Sequence, residues 1–597
     1  MMEEVINTSM EQVIYVIHVI WNEKQAQAVW RQGRDVYTPY LFEILKQAGI
    51  AYDAWTPEAW LGSRPKGITI VAGLDDRKDW PELFRAYCES GNAVLAVGDT
   101  YGLDHMLGVQ QVRKVKEGWI DWKGSALADG LQSSFHFFGS MLLKPTDGVE
   151  THGTITLQTG AETAHPAVTV KAYPHGAAAM LAVDLPRTFC LMQQGVPVVK
   201  DGTPSSDGTG AINDDIFKTD DSSVLDWNRD RNSIDGGVPF YLHPIVDEFR
   251  IMLLRLLHRL GESVSRTFAQ VWFWPEGLEA IGHISHDTDG NVSEAAEMLL
   301  DRLKEAGIKS SWCIIMPGYP EPIYRRIVDE GHEIALHYNA LEAEGNRWDE
   351  QLFNEQLGLL KSQMNAMNVS VPIKMNKNHY LRWEGDVQFF KWCERAGIVV
   401  EQSKGGTKQG NKGFLAGTCH PYLPVSDASE RNRLMNVYSN PTLAWDPPIP
   451  LRCTAPEARA LVDRSKDVYG VAHFLYHPAT FKMNENVGPG FVDLIRYGEE
   501  QGLAWWTAQD MYEWLQLRRN VEARVENGHL VISAQRECKG LTVLLSADAA
   551  APEGGASTAV RRVQPVERMG IPLQQWILDV PAGRTSIPLK PAVSVAG

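Results

Sequence analysis

Hydrophobic and polar positions divide the chain into stretches of different period. From about residue 10 to 110, short apolar runs alternate with helix-period segments. VIYVIHVIW (13–21), GITIVAG (67–73) and NAVLAVG (92–98) read as buried strands. YTPYLFEILKQAG (37–49) and WPELFRAYCESG (80–91) read as helices, the first closed by Gly49. Strands joined through single helices predict a parallel sheet. Residues 115–190 are richer in strand pattern, with GTITLQTG and AVTVKAYPHG, and extend the same unit. The expected domain over 10–198 is a doubly wound, flavodoxin-like α/β domain. A second alternation starts near 278. IGHISHD, SSWCIIM, HEIALHYN, VPIKM, IVVEQS and AHFLYHP read as strands, with helices between them and a last helix through MYEWLQLRR. The helix from SEAAEMLLDRLKEAG is expected to have Ser293 as N-cap and Gly307 at its end. This repeat predicts a (β/α) barrel, complete or open, over 266–520. From 521 to 597, HLVISAQ, KGLTVLLSA and QWILDVPAG are short alternating runs that predict a small β-sandwich.

Between the two alternations, 199–237 holds nine aspartates and few apolar residues. With the apolar-faced helix VDEFRIMLLRLLHRLG (246–261), it is expected to form an acidic linker and connecting helix over 199–265. A calcium-binding loop is the sharper alternative for its Asp and Asn oxygens.

Composition is that of a soluble globular chain of 597 residues, too long for one core. The net charge of −17 argues against nucleic acid and anionic membranes as partners, and favours a neutral or cationic substrate over a polyanion. No apolar run reaches the roughly 20 residues that span a bilayer. Seven cysteines, none in a CxxC pair, suit a reducing compartment. The first residues carry Glu where a signal peptide carries Lys or Arg, so a cytoplasmic location is expected.

The chemistry-bearing residues fall where predicted strands end. Ser285-His286-Asp287-Thr288-Asp289-Gly290 places two carboxylates at one strand end, able to divide metal binding and proton abstraction between them. The plain alternative is a turn in which Asp289 or Asn291 caps the next helix. An EF-hand is excluded, because its Gly and Glu positions are here Val292 and Met298. Gly331-His332-Glu333-Ile334-Ala335-Leu336-His337 delivers His337 to the next strand end but one. Phe474-Leu475-Tyr476-His477-Pro478 delivers His477 in the last unit, beside the first in a barrel.

The order SHDTDG, GHEIALH, LYHP, separated by β/α units, resembles the polysaccharide deacetylase (NodB homology) superfamily over about 270–520. That resemblance implies a metal-dependent hydrolase that removes N-acetyl or related acyl groups from a carbohydrate, with one divalent ion, zinc foremost. It implies Asp287 as general base, Asp289 and His337 as metal ligands and His477 as general acid. The family places a further ligand His four residues after the first, where this chain has Leu341. His379, in Asn378-His379-Tyr380-Leu381-Arg382-Trp383, is the expected replacement, with Glu342 as a weaker substitute. A substrate-contacting or structural role for His379 stays open. The segment is similar to one in an atypical branch of the family.

Arg382 resembles the family Arg that holds the catalytic Asp, and Glu401 is its expected acidic partner; a surface ion pair is the alternative for Arg382. Tyr338, Trp383 and Tyr422 are expected to contact substrate, and His420 is a further candidate ligand. The N-terminal pattern resembles the class I glutamine-amidotransferase-like fold, which carries its catalytic Cys on a turn that reads here Gly98-Asp99-Thr100-Tyr101-Gly102. With no Cys there, amidotransferase chemistry is not expected, though homo-oligomer contacts through this domain are. Two other readings of the barrel remain: an inactive glycan-binding barrel, and a related metal hydrolase of non-glycan C–N bonds.

Overall fold

The computed structural model describes residues 16–202, 205–210, 214–264, 269–341, 345–547 and 558–589. Its N-terminal sheet has nine strands. Tyr52–Trp55, Val16–Ile20, Gly67–Val71, Ala93–Val97 and Gly176–Leu181 lie side by side in parallel. Gly67–Val71, Ala93–Val97 and Gly176–Leu181 are mostly apolar and buried along their whole length, as strands inside a covered parallel sheet are. Beyond Gly176–Leu181 the sheet continues antiparallel through Glu162–Tyr173, Glu150–Leu157, Gly118–Asp121 and Phe135–Phe137. The sheet is therefore mixed, where the sequence pattern predicted a parallel one.

The second large sheet is parallel throughout. Its order is Tyr438–Ser439, Val400–Glu401, Met375–Asn378, Glu333–Tyr338, Ser311–Ile314, Ile281–Asp287, Val471–Leu475 and Ala444–Trp445, with Ala504–Trp505 added against Ile281–Asp287. The strands at the two ends of this order, Tyr438–Ser439 and Ala444–Trp445, are pieces of one chain segment. Thr442 N donates to Lys404 O on one side and Leu443 N to His473 O on the other, so this segment links the two ends of the sheet order. The helix Ser293–Ala306 begins at Ser293 itself with no side-chain cap, and Gly307 closes it in the left-handed region. Where VPIKM was expected, the strand runs instead over Met375–Asn378. Its Asn376, Lys377 and Asn378 are fully buried and belong to a polar layer inside the barrel. There Lys377 Nζ donates to Ser285 Oγ (2.7 Å), which in turn bonds His473 Nε2 (2.9 Å).

The helix Ile245–Ser263 is more than a connector. Fifteen of its nineteen residues are buried, among them the polar Asp247, Glu248, Arg250 and His258, so it lies inside the molecule. Phe249 packs on Phe135 and Phe189 of the N-terminal region, Asp247 accepts from Thr418 Oγ1 (2.6 Å) and Cys419 N (2.9 Å) of the barrel, and Arg255 donates to Met569 O. Each leucine buried this way contributes about 1.5–3 kcal/mol.

Residues 199–237, expected as a linker, form instead a strap against the barrel. Lys218, Thr219, Asp220 and Ser222 are buried, and bridges join Val198 to Gly385 and Lys218 to Arg382. Several of its aspartates are committed within the protein. Asp207 pairs with Arg231, Asp214 with Lys218, Asp230 with His136, and Asp220 accepts from Thr407 and Asn411. Among the described residues the strap shows no cluster of metal-ligating groups, and the calcium-loop alternative gains nothing from it.

C-terminal to the barrel lie two antiparallel sheets, Val521–Glu526, His529–Ala534 and Gly583–Pro588 in one, Cys538–Ser546, Ile571–Val580 and Val560–Arg568 in the other. The two-residue strand Gln270–Val271 joins the second sheet beside Leu544 and Val543. No helix among the described residues is long and apolar enough to cross a membrane. All seven cysteines are buried and free.

Candidate metal centre and active site

Four strand ends build the site. Ile281–Asp287 delivers Asp287, and the following turn is locked to the neighbouring strand by Ile315 N on Thr288 Oγ1 (3.1 Å) and Asn291 Nδ2 on Ile315 O (3.0 Å). Asp289 sits in that turn and caps no helix. Glu333–Tyr338 brings His337 inward, and Met375–Asn378 leads directly into His379.

His337 Nε2 lies 3.3 Å from Asp289 Oδ1, His379 Nδ1 lies 3.2 Å from the same oxygen, and the two ring nitrogens are 3.1 Å apart. His337 Nδ1 faces the carbonyl of Lys377 at 2.9 Å, which can only accept. The proton is therefore on Nδ1, and a neutral ring turns the Nε2 lone pair toward Asp289 and His379. Buried Asp289 Oδ1 itself has no hydrogen bond. Three donor atoms at these separations fit one small cation, since tetrahedral bonds of about 2.0–2.1 Å put ligand atoms about 3.3 Å apart. Asp289, His337 and His379 are the group among the described residues able to hold a metal ion. Burial opposes the charge on Asp289, but His337 and His379 outweigh it and hold its carboxyl well below the usual range.

Asp287 is buried beside this trio. Its Oδ1 has no hydrogen bond and lies 3.8 Å from His337 Nδ1, leaving a carboxylate oxygen uncommitted. On the other side His477 Nε2 is 3.8 Å from Asp289 Oδ2. Its Nδ1 bonds Asp446 Oδ2 at 2.7 Å, and its backbone N–H donates to Asp446 Oδ1 at 2.8 Å. Burial works to lower the His477 pKa, but Asp446 foremost, with Asp287 and Asp289, pushes it up to about 9. Arg452 is paired to the same buried Asp446 carboxylate. Asp287, Asp289, His379, His477 and Arg452 open on a cavity of about 320 Å³, whose apolar wall includes Tyr380, Leu381, Trp445, Leu475 and Met483, with His337 and Asp446 buried behind them.

The structure brings together Asp287, Asp289, His337, His379 and His477. The other expected site residues lie elsewhere. Arg382 does not face Asp287. Left-handed backbone at Tyr380 and Leu381 turns the chain, and the guanidinium bonds Glu384 and the carbonyls of Ala340 and Asn346. Glu401 is not its partner; it accepts from Ser403 N (2.7 Å), and burial pushes its pKa up to about 7. Tyr338, Trp383 and Tyr422 are about 1% exposed and line no part of the cavity. Tyr338 stacks on Phe389, Trp383 packs between Phe389 and Phe390, and Tyr422 donates to Gln193 O. His420 bonds Val468 O (2.9 Å), away from the metal trio. Glu342 lies outside the described residues. Sequence reasoning missed Asp446 and Arg452. The one signal for Asp446 was an apolar Leu-Ala-Trp run ending in a carboxylate, the pattern that marks Asp287.

No family model matches the chain, and no curated protein matches it. Solved structures do. One described as Agd3, a novel carbohydrate deacetylase, is 9% identical, with a TM-score of 0.37 over 97% of this chain and 99% of that one. A family 4 acetyl xylan esterase from Clostridium thermocellum, in complex with a cobalt ion, is 14% identical, with a TM-score of 0.26 over 39% of this chain and 91% of that one. The peptidoglycan deacetylase PdaC from Bacillus subtilis is 11% identical, with a TM-score of 0.25 over 41% and 95%.

Proposed function

We propose that this protein is a metal-dependent hydrolase that removes N-acetyl or related acyl groups from a carbohydrate. The observation that carries the reading is the arrangement around one cavity of a three-ligand set, a carboxylate with a free oxygen and a histidine kept protonated by a buried partner. Asp289, His337 and His379 would hold the ion. When bound, a divalent ion such as zinc supplies Lewis acidity, polarising an acyl carbonyl and making water easier to deprotonate.

The chain's own residues do the rest. Asp287, with Oδ1 uncommitted, takes the proton of the attacking water. His477 approaches from the other side already protonated and gives its Nε2 proton to the departing nitrogen or oxygen. Asp446 fixes the ring by accepting from Nδ1 and favours the imidazolium. The order of base, ligand set and acid around the cavity suits cleavage of a planar acyl group lying between Asp287 and His477.

The test pairs metal content with acetate release from N-acetylated oligosaccharides, for the wild type and Asp287→Asn. The expected result is about one divalent ion per chain in both proteins and turnover in the wild type alone. Full turnover by Asp287→Asn would refute the mechanism. Release from small non-sugar amides but from no sugar would assign a different substrate to the same chemistry.

A further inference from the structure

Three threonines line the cavity: Thr407, Thr442 and Thr480. Each has its hydroxyl within hydrogen-bond reach of an oxygen inside the protein. Thr442 Oγ1 donates to the carbonyl of Gln402 (2.9 Å), and the single proton of Thr480 Oγ1 has His477 O (2.7 Å) as its nearer acceptor and Asp446 Oδ1 (3.1 Å) as its farther one. Thr407 Oγ1 donates to Asp220 Oδ2 (3.2 Å), a carboxylate that also accepts from Thr407 N and Asn411 Nδ2. A hydroxyl has one proton and two lone pairs, so what remains for a ligand on this wall is acceptor capacity alone.

The loop carrying Thr407 is held stiffly. A Cβ on Gly406 would lie 2.1 Å from Asn411 O, and Thr219 of the strap bonds the carbonyls of Ser403 and Gly405. Turning the protons outward would leave the buried carbonyl of Gln402 without its Thr442 donor and Asp220 with one donor fewer.

We propose that the Thr407–Thr442 wall selects a substrate presenting a free hydroxyl or ammonium beside the acyl group being cleaved. It rejects one in which that position is blocked by an alkyl or second acyl group, or is a carboxylate. This rests on the hydrolase reading above and adds the substrate's hydrogen-bonding sign. A ligand with only acceptors there would face lone pairs with lone pairs, and lose the bond its rival makes.

The test measures acetate release by the metal-replete full chain. The probes are short oligomers of N-acetylglucosamine and of N-acetylgalactosamine, each beside its O-methylated counterpart, with wild type, Thr407→Val, Thr407→Ser and Thr442→Val. The expected result is a KM increase of roughly 3- to 10-fold in each Val variant on the unblocked oligomer, with kcat retained, and recovery in Thr407→Ser. The O-methylated probe is expected to be poor in the wild type and to lose nothing more in Thr407→Val. Metal content equal to wild type shows that the variants fold. Equal cleavage of blocked and unblocked probes by the wild type, or Val variants with unchanged KM, would overturn the inference and leave the hydrolase reading standing. No acetate from any probe in the metal-replete wild type would overturn the hydrolase reading, and the inference with it.

Discussion

His136 offers a test of how the strap is held that does not depend on catalysis. Its ring is fully buried, with Nδ1 2.6 Å from Asp230 Oδ2 on the strap and Nε2 3.3 Å from Glu117 Oε1. Trp119 stacks on the ring at 4.3 Å and donates to Asp230 Oδ1 (2.8 Å), and Arg229 lies over the Trp119 ring. Burial alone would lower the pKa of His136, but Asp230 and Glu117 outweigh it and push it from 6.5 to about 8. A group whose pKa is raised in the folded state contributes stability that is complete below its unfolded value and lost as pH rises through the folded one. Here the window runs from 6.5 to about 8, and the difference corresponds to about 2 kcal/mol. The perturbation is His136→Gln, which keeps a polar side chain of similar size that cannot titrate. Urea unfolding across this window, with amide exchange at Asp226, whose N–H donates to Asp230 Oδ2, gives global and local readouts. The wild type is expected to lose about 2 kcal/mol more than the variant between pH 6.5 and 9, with Asp226 opening first. Equal pH dependence in both proteins would refute the reasoning.

Three further outcomes follow from the site. Asp446→Asn is expected to keep its metal and lose about 10²–10⁴ in kcat, with the remaining activity falling away at lower pH than in the wild type, because burial of His477 is then less opposed; a pH–rate profile checks this. His337→Ala and His379→Ala are each expected to lose the ion on metal analysis, while His420→Ala keeps it. Retention of the ion by His379→Ala would remove it from the ligand set. Arg382→Gln is expected to cost about 1–3 kcal/mol in urea unfolding, by leaving the carbonyls of Ala340 and Asn346 short of a donor, with kcat retained. A collapse of kcat at unchanged stability would return Arg382 to the catalytic role expected from sequence.

The residues legible in the sequence were those at the ends of apolar runs. Asp287, His337 and His477 each close such a run, and a parallel barrel gathers strand ends at one face. Asp446 escaped notice because its strand, Ala444–Trp445, is two residues long and followed by two prolines, so no periodicity marks it. The aromatic residues failed for a different reason. Side chains alternate along a strand, and with His337 facing inward its neighbour Tyr338 had to face the helices. Trp383 follows two residues with left-handed backbone, and no sequence pattern announces that reversal. The strap departs from the expected linker because its polar residues are paired inside the protein rather than exposed. Lys218 is buried with a partner four residues away and Asp220 with partners 187 and 191 residues away, and composition cannot see such pairings.

The two-residue strand Gln270–Val271 bears on how the chain comes to be folded during synthesis. Val271 N donates to Gly49 O and Gln270 Nε2 to Ala48 O, while Val271 and Gln270 pair with Val543 and Leu544. Arg518 donates to the carbonyls of Val271 and Trp272. The segment leading into the barrel thus waits for a strand that leaves the ribosome some 270 residues later. Until then the two-residue strand lacks its partner in the C-terminal sheet and presents an unpaired edge. Chaperone dependence and a late step in attaining protease resistance are the natural consequences, and excising the barrel at 266–520 would make that transient condition permanent.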